Sequence, residues 1–99
     1  MAHSFSSCVT VAPGVLFRLV GDEAVLLNLT TQQYLGLDTV GTRMWTLLTN
    51  STSIQDAYDT LLLQYEVAPE RLRKDVVEFL DKLSRQGLIE VRTELPTSD

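Results

Sequence analysis

The order of apolar and polar residues predicts an α+β chain, winged-helix-like in shape, in which a three-stranded antiparallel sheet is followed by three helices. Short apolar runs broken by turn residues fill the chain from Val15 to Leu37, and from Asp38 onward the apolar residues recur every three or four positions. The two patterns are segregated along the chain rather than alternating, which distinguishes α+β from a βαβ arrangement.

The first strand is Val15-Leu16-Phe17-Arg18-Leu19-Val20 and the second is Ala24-Val25-Leu26-Leu27-Asn28-Leu29. Gly21-Asp22-Glu23 between them reads as a hairpin turn. After a polar break at Thr30-Thr31-Gln32-Gln33, the segment Tyr34-Leu35-Gly36-Leu37 continues the meander as a third strand. Gly36 has no side chain, so a second backbone can approach there.

Asp38 is placed as the N-cap of a first helix, Thr39 to Leu48, with Val40, Met44, Leu47 and Leu48 on one face and Trp45 beside them as a core anchor. Ser53 with Asp56 three residues later resembles a capping box in which Asp replaces Glu. It opens a second helix with Ile54, Ala57, Tyr58, Leu61, Leu62 and Tyr65 on its apolar face, ending near Val67. Tyr58 and Tyr65 are expected to bury their rings against the third helix. Pro69 suits the first turn of that helix and Gly87 suits the left-handed residue after its end. Between them Leu72, Val76, Phe79, Leu80 and Leu83 form the core stripe, and Leu88 to Val91 closes on the core.

A chain of 99 residues builds one core. Residues 1–14 are expected to be a flexible N-terminal segment, with an added strand covering a sheet edge as the alternative; 15–92 form the domain and 93–99 a loose tail. With 44% hydrophobic and 21% charged residues the composition is globular. Cys8 is the single cysteine and His3 the single histidine, so neither a disulfide framework nor a metal site is indicated, and a cytoplasmic protein is expected. No apolar run approaches the ~20 residues of a membrane span. A net charge of −5 disfavours nucleic acid and anionic membranes as partners.

No catalytic constellation can be assembled: His3 lies in the segment expected to be mobile, and Cys8 lacks an electropositive neighbourhood. Asp75, Glu78 and Asp81 are interleaved with Arg73, Lys74, Lys82 and Arg85, the pattern of a solvated, ion-paired helix face. No enzyme, cofactor or metal is therefore expected. Two features point to binding. The third strand, Gln33 to Leu37, is last in the meander and can leave a free edge. On the long helix Val77 falls about 120° from the centre of the core stripe, on the flank of Arg73, Leu80 and Ser84. A guest peptide can add to Tyr34-Leu35-Gly36-Leu37 as a strand while its side chains drop toward the long helix.

The ordered set Tyr34-Leu35-Gly36-Leu37-Asp38, Gly41, Trp45-Thr46-Leu47-Leu48, Tyr65, Asp75-Val76, Phe79-Leu80, Leu83 and Gly87-Leu88-Ile89 resembles the PqqD-like family. These are precursor-peptide recognition elements of ribosomally made, post-translationally modified peptides. Within the family the chain looks most like the stand-alone proteins of lasso-peptide pathways. The resemblance implies three strands and three helices, with the leader peptide added between third strand and third helix. It implies contacts from Gln33, Tyr34, Leu35, Gly36 and Leu37, and from Arg73, Val76, Val77, Leu80 and Ser84. The implied partners are the precursor, a leader protease and an ATP-dependent cyclase, or a radical enzyme in the cofactor branch. The competing readings are a winged-helix DNA-binding protein, motivated by Arg71, Arg73 and Lys74, and a scaffolding subunit that never holds the peptide.

Overall fold

In the computed structural model, which describes residues 5–92, the elements run β1 (Cys8–Val11), β2 (Val15–Val20), β3 (Glu23–Asn28), β4 (Gln33–Leu37), α1 (Thr39–Asn50), α2 (Ile54–Gln64), α3 (Pro69–Arg85) and β5 (Ile89–Arg92). The meander has the spatial order β2-β3-β4 and is antiparallel throughout. The sequence therefore yields the expected three strands and three helices. A second sheet, β1 with β5, accompanies them.

Register explains which meander residues face inward. Ala24, Leu26 and Asn28 of β3 stand opposite Leu37, Leu35 and Gln33 of β4, and opposite Leu19, Phe17 and Val15 of β2. Opposed residues share a sheet face. Leu26 and Leu37 bury on the helices, and the Phe17 ring stacks on Trp45 at 6.2 Å and 8°. Trp45 is thus the core anchor that its position on α1 predicts.

Each helix begins as its sequence dictates. Asp38 Oδ1 accepts from the Gly41 amide at 2.7 Å, and Ser53 Oγ accepts from the Asp56 amide at 3.1 Å. Pro69 opens α3, and its carbonyl accepts the Tyr58 hydroxyl at 2.9 Å, which ties α2 to α3. Two faces differ in detail. Val40 is exposed, because the first turn of α1 projects past the core. Tyr65 is only half-buried, since α2 stops at Gln64 and Tyr65 turns to extended backbone at φ −125°.

Residues 1–14 are not simply a flexible segment: from Phe5 onward they are part of the fold. β1 pairs with β5 from Cys8↔Arg92 to Val11↔Ile89, and the Ala12 amide donates to the Leu88 carbonyl at 3.1 Å. The carbonyls of Phe5 and Ser7 accept from the amides of Gln55 and Ile54 at 2.7 and 2.8 Å. These are first-turn N–H groups of α2 that have no partner within the helix. The Phe5 ring is buried, edge-on to Tyr58 at 5.5 Å, with the Arg73 guanidinium 3.9 Å above it. His3 and the tail 93–99 lie outside the described residues.

Gly87 has φ +69°, and a Cβ there would stand 3.3 Å from Asn28 Nδ2. The left-handed backbone costs a residue with a Cβ about 1–2 kcal/mol. Gly87→Ala is expected to lower unfolding free energy by about that amount in a urea titration. An unchanged midpoint would contradict the cap geometry.

Candidate peptide-binding groove

The hairpin geometry fixes which way the backbone of β4 faces. Gly21 and Asp22 form a two-residue turn, so Val20 and Glu23 close it as a hydrogen-bonded pair. Each residue of an antiparallel strand directs both its N–H and its C=O to one side, and the side alternates. Val25 and Leu27 therefore bond toward β2, while Ala24, Leu26 and Asn28 bond toward β4. Their partners Leu37, Leu35 and Gln33 are consumed by β3. Tyr34 and Gly36 are left to present their N–H and C=O groups at the outer edge. Both residues are exposed, Tyr34 at 75%, and a Cβ at Gly36 would meet nothing within 4 Å.

This edge looks across an open groove to α3. Gly36, Leu37 and Asp38 form one wall with Val40, Gly41 and Met44 beneath, and Asp75, Glu78, Phe79 and Lys82 form the other wall. The groove has a volume of about 380 Å³. At one end it meets a smaller apolar recess of about 140 Å³ between α1, α2 and α3, where Val40, Met44 and Asp75 are joined by Leu61, Tyr65, Val67 and Leu72. At the other end Gln32, Gln33 and Tyr34 face Gln86. The groove wall of α3 is thus the stripe 75, 78, 79, 82 and 86, one side of a helix. Charge on its rim is divided, with carboxylates at Asp38, Asp75 and Glu78 and an ammonium at Lys82. Arg71 Nε lies 3.6 Å from Asp75 on the solvent side.

The helix residues expected as contacts occupy a different side. Val76 and Leu80 are completely buried in the core, so a docked peptide cannot touch them without displacing it. Arg73 lies over the Phe5 ring, Val77 is half-buried against the core, and Ser84 is exposed. At about 100° per residue, the set 73, 77, 80 and 84 is centred about 175° from the groove stripe. Of the strand residues, Gln33, Tyr34, Gly36 and Leu37 border the cleft, with Leu37 buried on the inward face, whereas Leu35 is half-buried against the core. Phe79 is half-buried against the core, as periodicity predicts, and also supplies an apolar patch of the groove wall.

The family model described as Coenzyme PQQ synthesis protein D (PqqD) matches residues 23–89, about two thirds of the chain. The chain belongs to the PqqD family. Two solved structures have the PqqD-family fold seen here. "TbiB1 in Complex with the TbiA(beta) Leader Peptide" is 31% identical with a TM-score of 0.77, over 91% of this chain and 99% of that one. "Lasso peptide synthetase B1 complexed with the leader peptide" is 20% identical with a TM-score of 0.76, over 83% of this chain and 96% of that one. No curated protein sequence matches the chain. Among the described residues of this PqqD-family protein no group of His, Cys, Asp and Glu is placed to hold a metal, and no helix is long and apolar enough to cross a membrane.

Proposed function

We propose that this protein binds the leader of a ribosomal precursor peptide in a lasso-peptide pathway, adding it as a strand to β4. It acts without catalysis and delivers the precursor to a leader protease and an ATP-dependent cyclase in the cytoplasm. The observation that carries this reading is the free edge at Tyr34 and Gly36, which opens on a groove walled by α3 and ends in an apolar recess. The supporting likeness is TbiB1, solved in complex with a leader peptide and 31% identical over nearly its whole length.

The magnitudes favour a strand with anchors. Two outward residues offer four backbone groups, which at ~1 kcal/mol net each fall short of the roughly −8 kcal/mol of a micromolar complex. Ordering the guest widens the shortfall. One apolar guest side chain in the recess and another on Phe79, at ~1.5–3 kcal/mol each, close most of it. The contacts on α3 are then Asp75, Glu78, Phe79 and Lys82, with Gln33 to Leu37 on the strand side.

Fluorescence anisotropy with labelled TbiA(β) leader, a panel of other lasso leaders, a cofactor-precursor leader and duplex DNA tests the reading. Micromolar or tighter binding to lasso leaders is expected. Binding to the cofactor leader alone would move the protein to the radical-enzyme branch, and binding to no leader would reject the proposal. Duplex DNA is expected not to bind: Arg71 is paired with Asp75 and Arg73 is stacked on Phe5.

A further inference from the structure

Asn28 ends β3 with its side chain buried, and every hydrogen-bonding position of its amide that the fold reaches is used. Nδ2 donates to the carbonyls of Gln86 and Gly87 at 3.3 and 3.2 Å. Oδ1 accepts from the amides of Thr30 and Thr31 at 2.9 and 3.2 Å. The orientation is unambiguous, because exchanging the two atoms would set an NH₂ against two N–H groups and an oxygen against two carbonyls. One side chain therefore grips the loop that turns β3 into β4 and, through its other end, the backbone that leaves α3. Gly87 permits the grip, since any Cβ there would crowd Nδ2.

The location matters for the groove. Its two walls, β4 and α3, are not neighbours in the sheet, and helix α3 packs on α2 and β5. At the Gln32-Gln33-Tyr34 end, the residue facing the strand is Gln86, whose own carbonyl is one of the two that Asn28 holds. We infer that Asn28 is a positioning residue that sets the opening of the peptide groove at its Tyr34–Gln86 end. The inference rests on the leader-binding reading for its consequence, and on hydrogen bonds of the free protein for its geometry.

Asn28→Asp separates the two halves of the grip. A carboxylate still accepts from Thr30 and Thr31 but repels the Gln86 and Gly87 carbonyls, so the helix side is released while the loop side stays. Protonation restores a donor. Burial and the two facing carbonyl oxygens disfavour the carboxylate of the variant, against the Thr30 and Thr31 amides that favour it, and only the protonated form can donate to a carbonyl. None of its partners, Thr30, Thr31, Gln86 and Gly87, is titratable. Lowering the pH moves the variant toward the form that carries an O–H donor, whereas wild-type Asn28 is unaffected.

Two measurements test this on the intact chain. In the free protein, nuclear Overhauser contacts between the β-protons of residue 28 and the α-protons of Gly87 should weaken in Asn28→Asp at pH 7.5 and return at pH 5. With labelled TbiA(β) leader, the variant should bind about tenfold more weakly than wild type at pH 7.5, and within about threefold of it at pH 5. Affinities are compared only where circular dichroism shows both proteins fully folded. Ile54→Val, a core change remote from the groove, serves as a control of comparable instability and should bind as wild type does. Contacts that persist at pH 7.5, or a folded Asn28→Asp variant that binds like wild type at both pH values, would overturn the role of Asn28. Failure of the wild type to bind any leader would instead overturn the leader reading, and the contacts in the free protein would still decide whether Asn28 holds the two walls.

Discussion

Phe5→Ala should remove about 3–5 kcal/mol of stability, the range for truncating a buried aromatic. The ring is 6% exposed, meets Tyr58 edge-on and carries the Arg73 guanidinium on its face, so the variant loses packing with both α2 and α3. A domain of this size has about 5–15 kcal/mol in total, so the loss is a large part of it. Urea unfolding followed by circular dichroism would show a midpoint lowered by that amount at unchanged slope. A loss below about 1 kcal/mol would mean that the N-terminal segment is not docked in solution, and the caps from Phe5 and Ser7 to α2 would fall with it.

Gly36→Pro should have the opposite signature, leaving stability nearly intact while weakening leader binding at least about tenfold. The Gly36 N–H points away from β3, so proline breaks no bond of the sheet, and the site has room for a ring. What it removes is one donor for an incoming strand, worth ~1 kcal/mol, and the ring then stands where the guest backbone must pass. Gly36→Ala keeps the donor and is the matched control, expected within about threefold of wild type. Anisotropy titration of the leader against both variants reads the difference. Equal affinity in a folded Gly36→Pro protein would rule out strand addition at β4.

The elements of the fold were legible because each carries its own local signal: the alternation from Val15 to Leu37, the caps at Asp38 and Ser53, Pro69 at a helix start and Gly87 after its end. β1 was less so. Cys8-Val9-Thr10-Val11 is only four residues long, and its partner β5 lies at the far end of the chain, a pairing that periodicity does not encode. The site divided in the same manner. That β4 is a free edge follows from its being last in the meander. Which side of α3 faces it does not follow, because a core stripe has two flanks and the sequence is silent on how the helix lies across the sheet. Val77, an apolar residue among polar ones, marks the flank on which Arg73 covers the Phe5 ring. The helix wall of the cleft beside β4 is carried by Asp75, Glu78 and Lys82, whose charges resemble those of any solvated helix face, and by Phe79, which packs on the core as periodicity predicts and also borders the cleft.

Because β1 and β5 run antiparallel with Cys8 opposite Arg92, the first and last strands of the fold sit side by side, about 5 Å apart between α-carbons. They lie in a sheet separate from the one that carries the groove. A module wired this way can be spliced into a surface loop of a larger polypeptide, or joined to one at either end, without stretching its frame. The free edge of β4 would remain accessible in such a fusion.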